Sequence, residues 1–129
     1  MFLRRVLFLD DVLEALNVGR ENLTSSKLLF EKDQYRDSIT MSYFAMHSSA
    51  MALFHDYDGF IKSHDGVLRL LSKCVKNGKF SRKSYGYLYD ARDLRNKASY
   101  DFSAVFSREL AEELISEAEE FIEEVESRV

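Results

Sequence analysis

The sequence predicts an all-α protein, a five-helix up-and-down antiparallel bundle forming a single domain over residues 1–129. Three observations carry this reading. Proline is absent and glycine occurs only five times, and these are the residues that break or weaken helix interiors. Apolar residues recur at steps of three and four through every long segment, which is the spacing of one helical face. The intervening stretches are short, so successive helices are expected to lie antiparallel as neighbours.

The first helix is expected at about residues 10–31. Val12, Leu16, Gly19, Leu23, Ser26 and Phe30 follow one face, and Gly19 and Ser26 on that face call for a closely approaching neighbour. Residues 1–9 are read as an earlier turn or an N-terminal arm. The second helix is expected from about Tyr35 to Asp56. It carries an apolar stripe (Ile39, Tyr43, Met46, Ala50, Leu53, Tyr57) beside a stripe of small residues (Ser38, Ser42, Ala45, Ser49, Ala52). Such a helix has little surface left for water, so it should sit at the centre. Its small stripe would also permit close packing of a second copy.

Asp56-Tyr57-Asp58-Gly59 breaks the pattern, and a third helix is expected from His64 through Val75, stopped by Asn77-Gly78. The fourth should run from about Ser81 to Lys97 with Tyr87, Ala91, Leu94 and Ala98 as its core stripe. The fifth follows Ser107, a suitable N-cap with Glu109 at the positive end of the dipole. Its seam is Ala111, Leu114, Ile115, Ala118, Phe121, Ile122 and Val125.

The net charge of −4 conceals an asymmetry: residues 73–97 sum to +6 and residues 107–129 to −7. Overall acidity argues against indiscriminate nucleic-acid binding, while a local basic face can still attract phosphate. The plainer alternative is that the two segments attract each other. One cysteine, Cys74, excludes an internal disulfide and suits a reducing cytoplasm. No stretch approaches the roughly 18 apolar residues of a membrane span.

Conventional catalytic and cofactor motifs are missing, and no cofactor is expected. His47 and His55 stand two helical turns apart, too far to chelate one ion, and the acidic run at Asp56 lacks the carboxylate that a calcium loop needs at its twelfth position, here Val67. No metal site is therefore expected. The three histidines read as a core, a surface and a helix-start group, and Cys74 as a buried, inert thiol.

The richest segment is residues 89–102. Arg92 and Arg95 are three apart and project to one side. Asn96, Lys97 and Tyr100 follow. Tyr100 could share a site with Arg95 if the helix ends between them. Guanidinium groups grip phosphate and a tyrosine can stack or hydrogen-bond, so these five residues suit a nucleotide or RNA phosphate. In the alternative, Arg95 pairs with an acidic residue and pins the helix end.

Three pieces carry a resemblance to a known family: Ser42-Tyr43-Phe44-Ala45-Met46-His47, Ser63-His64-Asp65-Gly66-Val67 and Arg95-Asn96-Lys97-Ala98-Ser99-Tyr100-Asp101. In this order and spacing the chain resembles a short stand-alone HEPN domain of bacteria and archaea, over about residues 12–125. The resemblance implies a helical bundle that dimerises and that works with a minimal nucleotidyltransferase as toxin and antitoxin. It also implies a metal-independent ribonuclease motif of Arg-x(4–6)-His type, doubled at the dimer interface. Arg95 and Asn96 match that motif, but Tyr100 holds the histidine position and Phe102 the place of a tyrosine that the partner modifies in some members. Tyrosine, with a pKa near 10, is a poor proton carrier at neutral pH where histidine is a good one. Together these features lead to three expectations. The first is a homodimeric module that binds a nucleotide or RNA phosphate at Arg92, Arg95, Asn96, Lys97 and Tyr100 beside a nucleotidyltransferase-type partner. The second is a weak ribonuclease using Arg95 and Tyr100. The third is a purely structural dimeric module.

Overall fold

The computed structural model describes the backbone of residues 2–54 and 63–129, with side chains from Asp10 onward. Five α-helices follow in order: α1 Phe2–Glu31, α2 Tyr35–Ala50, α3 His64–Lys76, α4 Arg82–Tyr100 and α5 Arg108–Arg128. A 3₁₀ turn, Met51–Phe54, extends α2. No strand occurs among the described residues. Residues 2–9 are the opening turns of α1. Tyr57, His55 and the acidic run at Asp56 lie outside the described residues.

α2 is the centre of the bundle and packs on α1, α3, α4 and α5. Both of its stripes are buried: Ile39, Tyr43, Met46 and Ala50 on one, Ser38, Ser42, Ala45, Ser49 and Ala52 on the other. The small stripe faces α1. A Cβ on Gly19 would stand 2.0 Å from Ser49 Oγ and 3.1 Å from the Ala45 carbonyl oxygen. Below it, Ser26 Oγ donates to the Ser38 carbonyl at 2.7 Å and lies 2.7 Å from Ser42 Oγ. Ser38 Oγ in turn donates to the Ser26 carbonyl at 3.0 Å. Buried hydroxyls are stable only when bonded in this way. The small stripe is therefore spent on packing against α1 within the chain.

The ends of the helices follow local chemistry. Ser63, Ser81 and Ser107 are N-caps, accepting from the amides of Gly66, Ser84 and Leu110. α3 stops in a Schellman motif: Gly78 takes φ +71, its amide donates to Val75 and that of Lys79 to Cys74. Cys74 is half-buried, and burial pushes its thiol pKa up, away from a nucleophile's range.

α4 departs from expectation in two ways. Leu88, not Tyr87, fills the core stripe beside Ala91 and Ala98, because the Tyr87 hydroxyl reaches out to Glu120 at 3.0 Å. The helix also runs past Lys97 to Tyr100. Arg36 of α2 explains the extension. Its guanidinium donates to the carbonyls of Ala98 and Ala104 at 2.6 Å each and to that of Asp101 at 3.2 Å, satisfying acceptors that a helix end leaves open. Its charge also lies over the Phe106 ring.

The glutamates of α5 do attract cations, though not those of the arginine cluster. Glu119 and Glu126 pair with Arg20, Glu119 also with Lys27, and Glu120 with Lys83. Glu124 accepts from the amide and hydroxyl of Ser81 and the hydroxyl of Ser84.

Candidate functional site

Three-residue spacing on α4 sends Arg92 and Arg95 to the same side, where they meet α2 and the start of α3. Arg92 Nη1 forms an ion pair with Asp65, the second residue of α3. The Arg95 guanidinium lies over the Phe44 ring of α2, 5.4 Å from its centroid. Beneath both is an aromatic stack. His47 and His64 lie ring on ring with centroids 4.2 Å apart and planes 16° apart. Tyr43 flanks both rings, at 5.8 and 5.5 Å. The edge of Phe44 meets His64 at 6.2 Å. Beside the stack, His47, His64, Ser63 and Met51 help to line an open cavity of about 450 Å³.

The electrostatics are those of a site short of negative charge. Arg95 has no carboxylate partner among the described residues. Its Nε is buried and unbonded, and its only hydrogen bond among the described residues is a long one, 3.4 Å, to Asn96 Oδ1. The pairing that would make Arg95 a structural pin is therefore absent there. Both histidines resist protonation. Burial, and then the charge of His64, pushes His47 down to about 4. His64 is lowered by burial and then by Arg95 and Arg92, against a smaller opposing effect of Asp65. Burial pushes Tyr43 up to about 12 despite both arginines, so its phenol keeps its proton. The Tyr43 hydroxyl is hydrogen-bonded to His64 Nδ1. With Tyr43 as donor, the neutral imidazole carries its proton on Nε2. The assembly then offers two guanidinium forks and one neutral N–H donor to an anion, with flat rings alongside.

Among the five residues that the sequence singled out, Arg92, Arg95 and Asn96 gather here. Lys97 is exposed on another side of α4. Tyr100 is 75% exposed. Because α4 continues unbroken through Tyr100, the five-residue step from Arg95 turns it about 140° around the axis. The condition for the two to share a site within one chain, a helix end between them, is not met. Sequence reasoning missed Tyr43, His47, His64 and Phe44 as neighbours of the arginines. The available signal was the four-residue step from Tyr43 to His47, which places both on one face of α2.

A model of the HEPN domain matches residues 12–128 of the chain. A protein of Methanocaldococcus jannaschii named "Putative toxin MJ0605" is 31% identical over 117 residues, covering 90% of this chain and 87% of that protein. A UPF0332 protein of Archaeoglobus fulgidus is 25% identical over 121 residues, or 94% of this chain and 97% of the relative.

Proposed function

The chain belongs to the HEPN domain family, and from that premise we propose that it is a toxin-like helical module binding a nucleotide or RNA phosphate at Arg92 and Arg95. The observation that carries this reading is the buried, unbonded Nε of Arg95 on a guanidinium with no carboxylate partner among the described residues. A buried charge-bearing group left without acceptors is costly, and a phosphate oxygen is the acceptor that a planar guanidinium fork fits best. Arg92 supplies the second cation, Asn96 an amide, and His64 a neutral donor. The name of the Methanocaldococcus relative supports the toxin-like part of the reading. An antitoxin partner of the nucleotidyltransferase type belongs to the same proposal.

The weak-ribonuclease alternative with Arg95 and Tyr100 requires two copies, since α4 carries these side chains on different sides. Tyr100, Phe102 and Val105 are 75, 89 and 93% exposed, which leaves the α4 end as the face for a homodimer and favours that geometry over one through α2. Light scattering on the purified protein tests the dimer. Calorimetric titration with a nucleoside 3′-monophosphate tests the site: saturable binding that disappears in both Arg92→Ala and Arg95→Ala is the expected outcome. Absence of heat in the wild type contradicts it.

A further inference from the structure

A second groove opens beside the arginine site, between α3 and α4, with a volume of about 500 Å³. Its α3 wall carries Arg69, Lys73 and Lys76, which at steps of four and three occupy one helical face. Its α4 wall carries Tyr85, Tyr89 and Arg92 at the same steps. The two helices are joined by a short turn and run antiparallel. The Arg92–Asp65 pair marks one end, and Tyr89 and Tyr85 succeed it opposite Arg69 and Lys73.

Two features of this groove suit a ligand, although the Tyr85 ring also packs in part against the core. First, Arg69, Lys73 and Lys76 form no ion pair among the described residues, in a chain whose net charge is −4 and whose α5 glutamates pair with Arg20, Lys27 and Lys83 instead. Second, Tyr89 is 51% exposed, with the Tyr85 ring 6.2 Å away at 38°. Two successive rings, set in a row of unpaired cations, match what an unpaired strand presents: a repeating phosphate charge and bases with free π-faces. A duplex keeps its base faces stacked inside, and an acidic peptide has no use for the rings.

We infer that this groove is a track for a single-stranded polynucleotide, its phosphates on Arg69, Lys73 and Lys76, its bases on Tyr85 and Tyr89, and its lead phosphate delivered to Arg92. The inference rests on the phosphate-binding reading of Arg92 and Arg95, and adds a second binding groove and the path of the strand. Asp65 is engaged by Arg92. Asp93, exposed in the groove wall, opposes the strand.

The test is fluorescence anisotropy with short labelled oligouridylate and oligothymidylate, between about 50 and 200 mM salt. Tyr89→Ala should weaken binding by about tenfold at every salt concentration, in the range for a lost base–aromatic stack. Lys73→Ala with Lys76→Ala should also flatten the dependence of log K on log salt by about 1.4, the value for two phosphate contacts on a single strand. Asp93→Asn should tighten binding. Equal affinity for both oligomers supports a track indifferent to the sugar, and preference for oligouridylate supports one for RNA. If the wild type binds and Arg95→Ala weakens it while the groove variants change nothing, the track is overturned and the arginine site stands. If the wild type binds neither oligomer, both are overturned. Capture of a polyglutamate peptide in place of the oligomers, lost in the lysine double variant and indifferent to Tyr89→Ala, overturns the track in favour of an acidic protein partner.

Discussion

Arg95→Ala separates a binding arginine from a structural one, and the structure sets the size of each effect. Two favourable contacts are lost. The guanidinium over Phe44, with centroid distance 5.4 Å, is worth about 0.5–1 kcal/mol. The 3.4 Å hydrogen bond to Asn96 lies beyond the usual range and adds less than about 0.5 kcal/mol. One cost is relieved: the unbonded, buried Nε–H is a penalty of about 1–3 kcal/mol. The sum runs from a gain of about 2.5 kcal/mol to a loss of about 0.5 kcal/mol, so Tm should not fall by more than about 4 °C. A broken buried ion pair would cost about 3–5 kcal/mol instead. Binding should respond in the opposite proportion, because a charged hydrogen bond to phosphate is worth about 1.5–3 kcal/mol, a loss of tenfold or more. Arg95→Lys should also weaken binding, since an ammonium lacks the planar fork. Circular-dichroism melting and nucleotide titration on one preparation read both quantities. A fall in Tm of more than about 10 °C, or an unchanged affinity, refutes the reasoning.

Gly19→Ala should destabilise the fold by up to about 2 kcal/mol in urea titration. A Cβ 2.0 Å from Ser49 Oγ and 3.1 Å from the Ala45 carbonyl adds overpacking of about 1–3 kcal/mol, outweighing the helix-propensity gain of about 1. Ser26→Ala should cost about 1–3 kcal/mol, because it leaves the Ser38 carbonyl and Ser42 hydroxyl short of a partner in a dry interior. Acid should destabilise the protein through His47: with its folded pKa near 4, the unfolded chain takes a proton that the folded chain refuses, so stability falls as pH drops from about 6.5 to about 4. Glu117, pushed up to about 7 by burial and then by Glu113 and Asp90, acts with the opposite sign over about pH 4.5–7. The contribution of His47 is thus read as the flattening of the acid limb in His47→Gln relative to the wild type.

The scaffold was legible because its pattern is local. Two stripes on residues 38–52 place α2 at the centre whatever surrounds it, and Asn77-Gly78 and Ser107 act within one turn of themselves. What escaped the sequence depends on residues far apart in the chain. Arg36 satisfies the carbonyls of Ala98, Asp101 and Ala104 across more than sixty residues, so no local signal announces that α4 continues to Tyr100. The pairing of Arg92 and Arg95 follows from their spacing. Their setting over Phe44 and beside His64 follows from how α2, α3 and α4 cross, which periodicity does not specify. The same holds for the small stripe of α2: small residues announce a close neighbour without saying whether it is α1 or a second copy.

The central claim is that the Arg95 guanidinium receives a phosphate. The Nε–H resonance of Arg95, assigned by its loss in Arg95→Lys, reports on that event directly in a proton–nitrogen correlation spectrum. During titration with a nucleoside 3′-monophosphate, the account predicts a saturable downfield shift of this resonance, accompanied by shifts at His64. A resonance that stays in place while only exposed lysines respond would contradict it.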